Sequence, residues 1–179
     1  LLREAPLRFF PAALLRSMKT GPAVEQSLGE YLIRGLLATA HRSTFASDTA
    51  AAWRGDQLFA FRESEFLPTV WFSAWRSAAD AAAFQRAYRT ILEKRQRVRF
   101  DSKQAGSTTV LTATRRGAGV WLQASGSVVL LLCGIPVNRL SEFAEEAWKD
   151  LEIEPEPNAV RFDSARHVLQ RGSVSSTGR

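Results

Sequence analysis

The sequence predicts an α+β fold: an antiparallel sheet of about five strands with helices mainly on one face. Three observations lead there. Residues 57–62 and 69–75 are aromatic-rich runs parted by a polar stretch that ends in Pro68. Residues 108–114, 120–124 and 127–133 are three more strand-like runs, joined by Arg115-Arg116-Gly117-Ala118-Gly119 and by Ser125-Gly126. A helical period follows each paired set of runs, giving the order ββα, β, ββα after two leading helices. The two ββα units echo each other in AAAFQRAY and SEFAEEAW.

The elements are read in chain order as follows. Residues 1–22 are Pro-punctuated, hold no sustained period, and read as a connector or the edge of a larger protein. Val24, Leu28, Tyr31, Leu32 and Leu36 recur at helical spacing and predict a helix over about 23–40. Residues 41–44 break it. Ser47 then suits an N-cap and Asp48 a first turn, for a short helix over 48–53 that Gly55 stops as a C′ residue. In the run 69–75, Trp71, Ser73 and Trp75 share one face and Val70, Phe72 and Ala74 the other. Both faces carry apolar residues, so an interior strand is expected.

Ser77 followed by Asp80 approximates a capping box with Asp in place of Glu. Ala81, Phe84, Tyr88, Ile91 and Leu92 form the buried stripe of the helix it opens, which should end near 94–96. VVLLLC, at 128–133, does not alternate, as expected of a strand covered on both faces or one at a domain contact. Asn138 is the expected cap of a last helix with Leu140, Phe143, Ala144, Ala147, Trp148 and Leu151 on its apolar face. The single domain is thus expected over 23–153, with 154–179 a linker and mobile basic tail.

The chain has 179 residues, 45% hydrophobic and 23% charged, an ordinary globular balance. No apolar run approaches the roughly 18 residues that span a bilayer. The start at Leu1 lacks the ordered regions of a signal peptide and reads as internal. The single cysteine, Cys133, excludes an internal disulfide and reads as a buried small hydrophobe. The two histidines, His41 and His167, form no metal-ligand spacing, and no phosphate-binding or nucleophile-elbow pattern occurs. No metal, cofactor or catalytic residue is therefore expected.

Arg54-Gly55-Asp56 spells an adhesive tripeptide, but a turn before a strand explains it as well. The five tryptophans sit at inward-compatible positions, with Trp121 the best surface candidate. The net charge is +6 and partly local. Lys94, Arg95, Arg97, Arg99 and Lys103 crowd together, offset by Asp101, and Arg115 and Arg116 make a second pair. Arg161, Arg166, Arg171 and Arg179 add charge in the tail. The group over 94–103 is the candidate site for an anionic partner, either an envelope polymer or, less favoured, nucleic acid.

The stretches AWRGDQLFAF and VWFSAWRSAADAAAF, with LGEYLIRGLL upstream, resemble the C-terminal domain of a loosely described set of exported bacterial and archaeal proteins. The resemblance covers about residues 27–90. It rests on Trp53, Gly55, Asp56, Trp71, Trp75, Ser77, Asp80, Ala81 and Phe84, with departures at Ala52 and Arg76. In that set an N-terminal half carries a zinc-metallopeptidase-like H-E-x-x-H helix, a motif this sequence lacks. The resemblance implies a structural motif, Asp56 tying a turn and Ser77 with Asp80 capping a helix. It also implies an extracytoplasmic, non-catalytic accessory domain. Such a domain would pack against the missing half or position its substrate, with contacts through Val128–Cys133 and the Pro-rich start. The alternative is a stand-alone module that holds an anionic partner through 94–103.

Overall fold

The protein, seen in a computed structural model, is described over residues 5–18, 20–62, 67–105 and 108–156. Its centre is one nine-stranded, mostly antiparallel sheet. The strands are β1 (Leu7–Pro11), β2 (Val24–Gln26), β3 (Trp53–Ala60), β4 (Thr69–Trp75), β5 (Asp101–Ala105), β6 (Thr108–Arg115), β7 (Ala118–Ser125), β8 (Val128–Pro136) and β9 (Leu151–Pro155). They lie in the order β5-β6-β7-β8-β4-β3-β1-β9, with β2 also on β3. The helices are α1 (Ala12–Ser17), α2 (Gly29–Ala38), α3 (Ser43–Ala50), α4 (Ala78–Gln96) and α5 (Leu140–Trp148). The architecture is broadly α+β, as the sequence implies, but the sheet is nearly twice the expected size.

The middle of the sheet follows the sequence closely. β4 pairs antiparallel with β3 and with β8. Its Trp71 and Trp75 enter one apolar cluster, and its Val70, Phe72 and Ala74 enter the other. β8 alternates in the same way, with Val129 and Leu131 on the first face and Leu130 and Leu132 on the second. A run that is apolar at every position is what two covered faces require. The two-residue turn Arg116-Gly117 joins β6 to β7 with φ of 50° and 81°. Positive φ at both central positions is the geometry that matches hairpin twist.

Helices cover both faces, not mainly one. α4 carries the chain from β4 across the sheet to the β5 edge, on the face shared with α2 and α3. α5 leaves β8 on the opposite face, packs with α1, and leads to β9 at the other edge. Two helices leaving adjacent central strands for opposite edges cover a wide sheet better on separate faces than stacked on one.

The four unexpected strands are β1, β2, β5 and β9. They are three to five residues long, and two of them, β5 and β9, carry charge at alternate positions, so they give little periodic signal. β1 and α1 lie in the stretch expected to be a connector. Phe9 of β1 is fully buried and stacks on Phe72 with ring centroids 5.5 Å apart. β9 takes up Glu154 and Pro155 of the expected linker, and residues 157–179 lie outside the described residues.

The early helices also differ from expectation. Val24 is in β2, and α2 begins only at Gly29. The buried side of α2 is Ile33 and Leu37, leaving Tyr31 74% and Leu32 55% exposed. The segment YLIRGLL is apolar on more than one face, so periodicity does not fix the helix's phase. α3 starts at Ser43, so Ser47 is inside it and not its cap. Asn138 lies in a 3-10 turn, Val137–Arg139, one turn before α5.

Gly55 stops no helix. It sits within β3 beside a register shift, opposite Leu7 of the parallel strand β1. A Cβ there would overlap the backbone N, Cα and O of Leu7. Backbone cannot step aside as a flexible side chain can, so this glycine is required by close approach. Gly55→Ala should destabilise the fold by about 2 kcal/mol, in the range of overpacked cores. Hydrogen exchange should show the loss first at β1 and β9, with β6–β8 still protected. Uniform loss of protection would contradict this account.

Candidate functional site

The motif residues of the sequence converge on Asp56, a carboxylate only 1% exposed on β3. Its Oδ1 accepts from Ser27 Oγ at 2.8 Å, Gly29 N at 3.0 Å and Trp53 Nε1 at 3.1 Å. Its Oδ2 accepts from Leu28 N at 2.8 Å and Trp71 Nε1 at 2.9 Å. Five donors occupy the lone pairs of one carboxylate. Asp56 therefore does not tie a turn. It serves as the cap of α2 from 27 residues away in sequence, since the flanking Leu28 makes no side-chain cap. Strand alternation makes this geometry: Asp56, paired with Ser73, points to the α2 side of the sheet along with Leu58 and Trp71.

Ser77 is the N-cap of α4 and accepts from Asp80 N at 3.2 Å. Its own hydroxyl donates to Asp80 Oδ2 at 2.6 Å. That bond first, then Arg76 Nε and Nη2, each 3.3 Å away, hold the Asp80 carboxyl below its ordinary range. Arg76 thus closes the cap with an exposed ion pair to Asp80. Phe84 stacks on Trp75 at 4.3 Å and meets Trp71 edge-on at 5.7 Å. All nine motif positions, Trp53, Gly55, Asp56, Trp71, Trp75, Ser77, Asp80, Ala81 and Phe84, are engaged in backbone approach, capping or core packing.

The remaining tryptophans behave alike. Trp75 Nε1 donates to Ser73 Oγ at 3.1 Å. Trp121 Nε1 and Trp148 Nε1 both donate to Gln123 Oε1 at 2.9 Å. Trp121 is half-buried against the α5 cluster rather than displayed for a ligand. The Arg54-Gly55-Asp56 tripeptide lies in the sheet with its aspartate enclosed, so adhesion has nothing to grip. His41 Nε2 donates to Ala87 O at 2.9 Å, linking α4 to the end of α2. His167 lies outside the described residues. Cys133 is half-buried on β8, and burial pushes its thiol up to about 12, the opposite of nucleophile activation. The nearby Tyr88 phenol is raised by burial first and then by the Cys133 charge.

The cations are different. Lys94, Arg95, Arg97, Arg99, Lys103, Arg115 and Arg116 are all exposed. Lys94 Nζ reaches Ala40 O at 3.2 Å, and Arg95 lies near Tyr88. Among the described residues, none of the seven is in an ion pair. Arg97 ends α4 in the left-handed region at φ 54°. Val98 and Phe100 are buried and Arg99 is exposed, so the segment alternates as its sequence implies. Asp101 pairs with Thr112, so the chain enters β5 from the end where the β6–β7 hairpin turns at Arg116. The fold thereby gathers Arg97, Arg99, Arg115 and Arg116 at one corner of the sheet, while Lys103 lies farther along the edge.

Two surface depressions were not legible in the sequence. A cleft of about 400 Å3 opens where β1 and β2 diverge on the same side of β3, with Arg8, Glu25, Ser27 and Gln57 on its walls. Arg8 and Glu25 span it at 3.6 Å. A second, of about 340 Å3, lies between α2 and α3 beside Tyr31, Leu32 and Gly35. No helix among the described residues is long and apolar enough to cross a membrane.

Replacing Asp56 by Asn keeps the shape and exchanges one acceptor oxygen for an NH2. Either orientation turns that group on two or three donors now satisfied. Asp56→Asn should therefore cost about 3 kcal/mol, since each stranded buried donor costs ~1–3 kcal/mol and such losses do not add in full. A lowered urea midpoint with an unchanged slope would register it. An unaffected midpoint would remove Asp56 from the centre of the fold.

A comparison with curated proteins gives no match. Among solved structures, the extracellular domain of PknH from Mycobacterium tuberculosis is similar at 14% identity and a TM-score of 0.43, covering 76% of this chain and 87% of that one. A family model described as a domain of unknown function (DUF8575) matches residues 16–144. That match takes in every motif residue and the whole cationic corner, and the chain belongs to this family.

Proposed function

We propose that this domain is a non-catalytic interaction module that holds an anionic partner at the corner formed by Arg97, Arg99, Arg115 and Arg116. One observation carries the reading. Four guanidinium groups stand exposed at one end of the sheet, and none is in an ion pair among the described residues. Charges of one sign brought together by separate elements repel each other, and an acidic polymer relieves that repulsion while releasing its own counterions. The non-catalytic half of the reading is supported by where the polar motif groups are used. Asp56 has its lone pairs filled, and Ser77 and Asp80 satisfy each other. The favoured partner is an acidic envelope polymer. Polyphosphate and duplex DNA serve as probes, and a marked preference for the duplex would turn the reading toward nucleic acid. Four contacts predict a salt slope of about −3.6 on B-DNA, so a fourfold rise in salt lowers affinity roughly a hundredfold. Reversing all four arginines to glutamate should abolish binding. Binding that survives reversal sinks the proposal.

A second reading is the accessory domain of an exported, extracytoplasmic metallopeptidase-like protein. The contact surface expected for it at Val128–Cys133 is not available, because β8 lies between β7 and β4 with both faces covered. The α2–α3 surface supports the reading in its place, with Tyr31, Leu32 and Phe45 exposed beside the 340 Å3 depression. Tyr31→Asp with Leu32→Asp should then weaken docking to an H-E-x-x-H half encoded in the same gene, and spare polyanion binding. Unchanged docking would discard this surface.

A further inference from the structure

Among the described residues the sheet is open, and its two edges carry opposite net charge. β5 ends it on one side, with exposed Lys103 on the strand and exposed Arg97 and Arg99 leading in, offset by Asp101. β9 ends it on the other, with Glu152, Glu154 and then Glu156 exposed. Among the described residues, none of these three carboxylates is in an ion pair. Each edge strand is five residues long. An edge strand presents a row of unpaired backbone donors and acceptors, and charge is the usual means of keeping such rows apart. Taken with Arg97 and Arg99, the β5 edge is net positive despite Asp101, and the β9 edge is net negative, so net charge opposes β5 on β5 and β9 on β9 and favours β5 on β9.

The sheet register settles which orientation is favoured. Lys103 pairs with Val110, Val110 with Gln123, and Gln123 with Leu130, which lies in the α1/α5 cluster. Lys103 is therefore on the α1/α5 face. Ile153 pairs with Phe9 of that same cluster, so Glu152 and Glu154 are on the opposite face. The pairings also make β5 and β9 run in the same direction. Two copies set side by side in one orientation would pair these edges in parallel, with Lys103 and the glutamates on different faces. Turning one copy over about the axis across the strands makes the pairing antiparallel. The same turn brings Glu152 and Glu154 onto the face that Lys103 shares with the single carboxylate of Asp101. The more stable ladder and the attractive charge arrangement are the same arrangement.

We propose that β5 of one copy pairs antiparallel with β9 of a second copy, extending the sheet between molecules. This rests on the reading of the basic segment as a site for an anionic partner, and names an acidic strand of the same chain as one such partner. The interface is heterologous, so each copy keeps one free edge and assembly continues past the dimer.

The test is sedimentation velocity of the full chain over a range of concentrations, at low ionic strength and again at high salt. The expected result is concentration-dependent growth beyond the dimer at low salt, reversed by high salt. Arg99→Glu with Lys103→Glu should leave a monomer, as should Glu152→Lys with Glu154→Lys. The four changes together restore opposite edges and should restore assembly, an outcome that misfolding cannot imitate. A wild-type chain that stays monomeric at low salt overturns the proposal. So does assembly that persists in either paired variant, or no rescue in the combined variant when circular dichroism shows it folded. Polyanion binding by a monomeric wild type would leave the functional reading standing and remove only this inference.

Discussion

The structure depends on a single buried carboxylate. Asp56 joins three things that are far apart in sequence: the start of α2, the bulged beginning of β3 and the indole of Trp71 on β4. A buried carboxylate is tolerable only when its lone pairs are filled, and an α-helix start is tolerable only when its free N–H groups are. Each requirement here satisfies the other. Once α2 is pinned this way, Ile33 and Leu37 face the cluster containing Trp71, Phe84 and Ile91, and the first helical layer is placed.

The tryptophans extend the same logic across the sheet. Each of the five indole N–H groups ends on a side-chain oxygen of a strand residue: Asp56, Ser73 or Gln123. Large aromatic rings can fill both faces because these few polar groups are embedded among them. Gln85 does comparable work from α4, donating to Thr109 O at 2.9 Å and Leu122 O at 3.1 Å. The helix is thereby held by polar as well as apolar contact over β6 and β7.

What could be read in the sequence follows from how many residues carry each signal. β4, α4 and β8 were legible because seven to nineteen residues repeat one pattern, and Ser77 with Asp80 marks the helix start. β1, β2, β5 and β9 were not, because three to five residues hold too little periodicity and only the sheet's extent gives them partners. Which face a helix takes is also a tertiary matter, so α5 opposite α4 could not be foreseen. The motif was visible as a set of residues but not as a constellation. Nothing local in Asp56 announces that its partners begin at Ser27. The alternation of Arg97 and Arg99 around Val98 was readable, whereas the approach of the Arg115-Arg116 turn required the β5–β6 register.

One further consequence lies in the pairing of β1 with β9. Leu7 is opposite Pro155 and Pro11 opposite Leu151, so the first and last of the described strands are neighbours across their whole length. A polypeptide enters and leaves this fold at almost the same point. Such a unit can be carried in a loop of a larger host with little distortion of either, because the host's two flanking ends need not separate. For the same reason the domain is suited to circular permutation: a short bridge from β9 to β1 would close the chain, and new termini could open at a distant hairpin such as Arg116-Gly117.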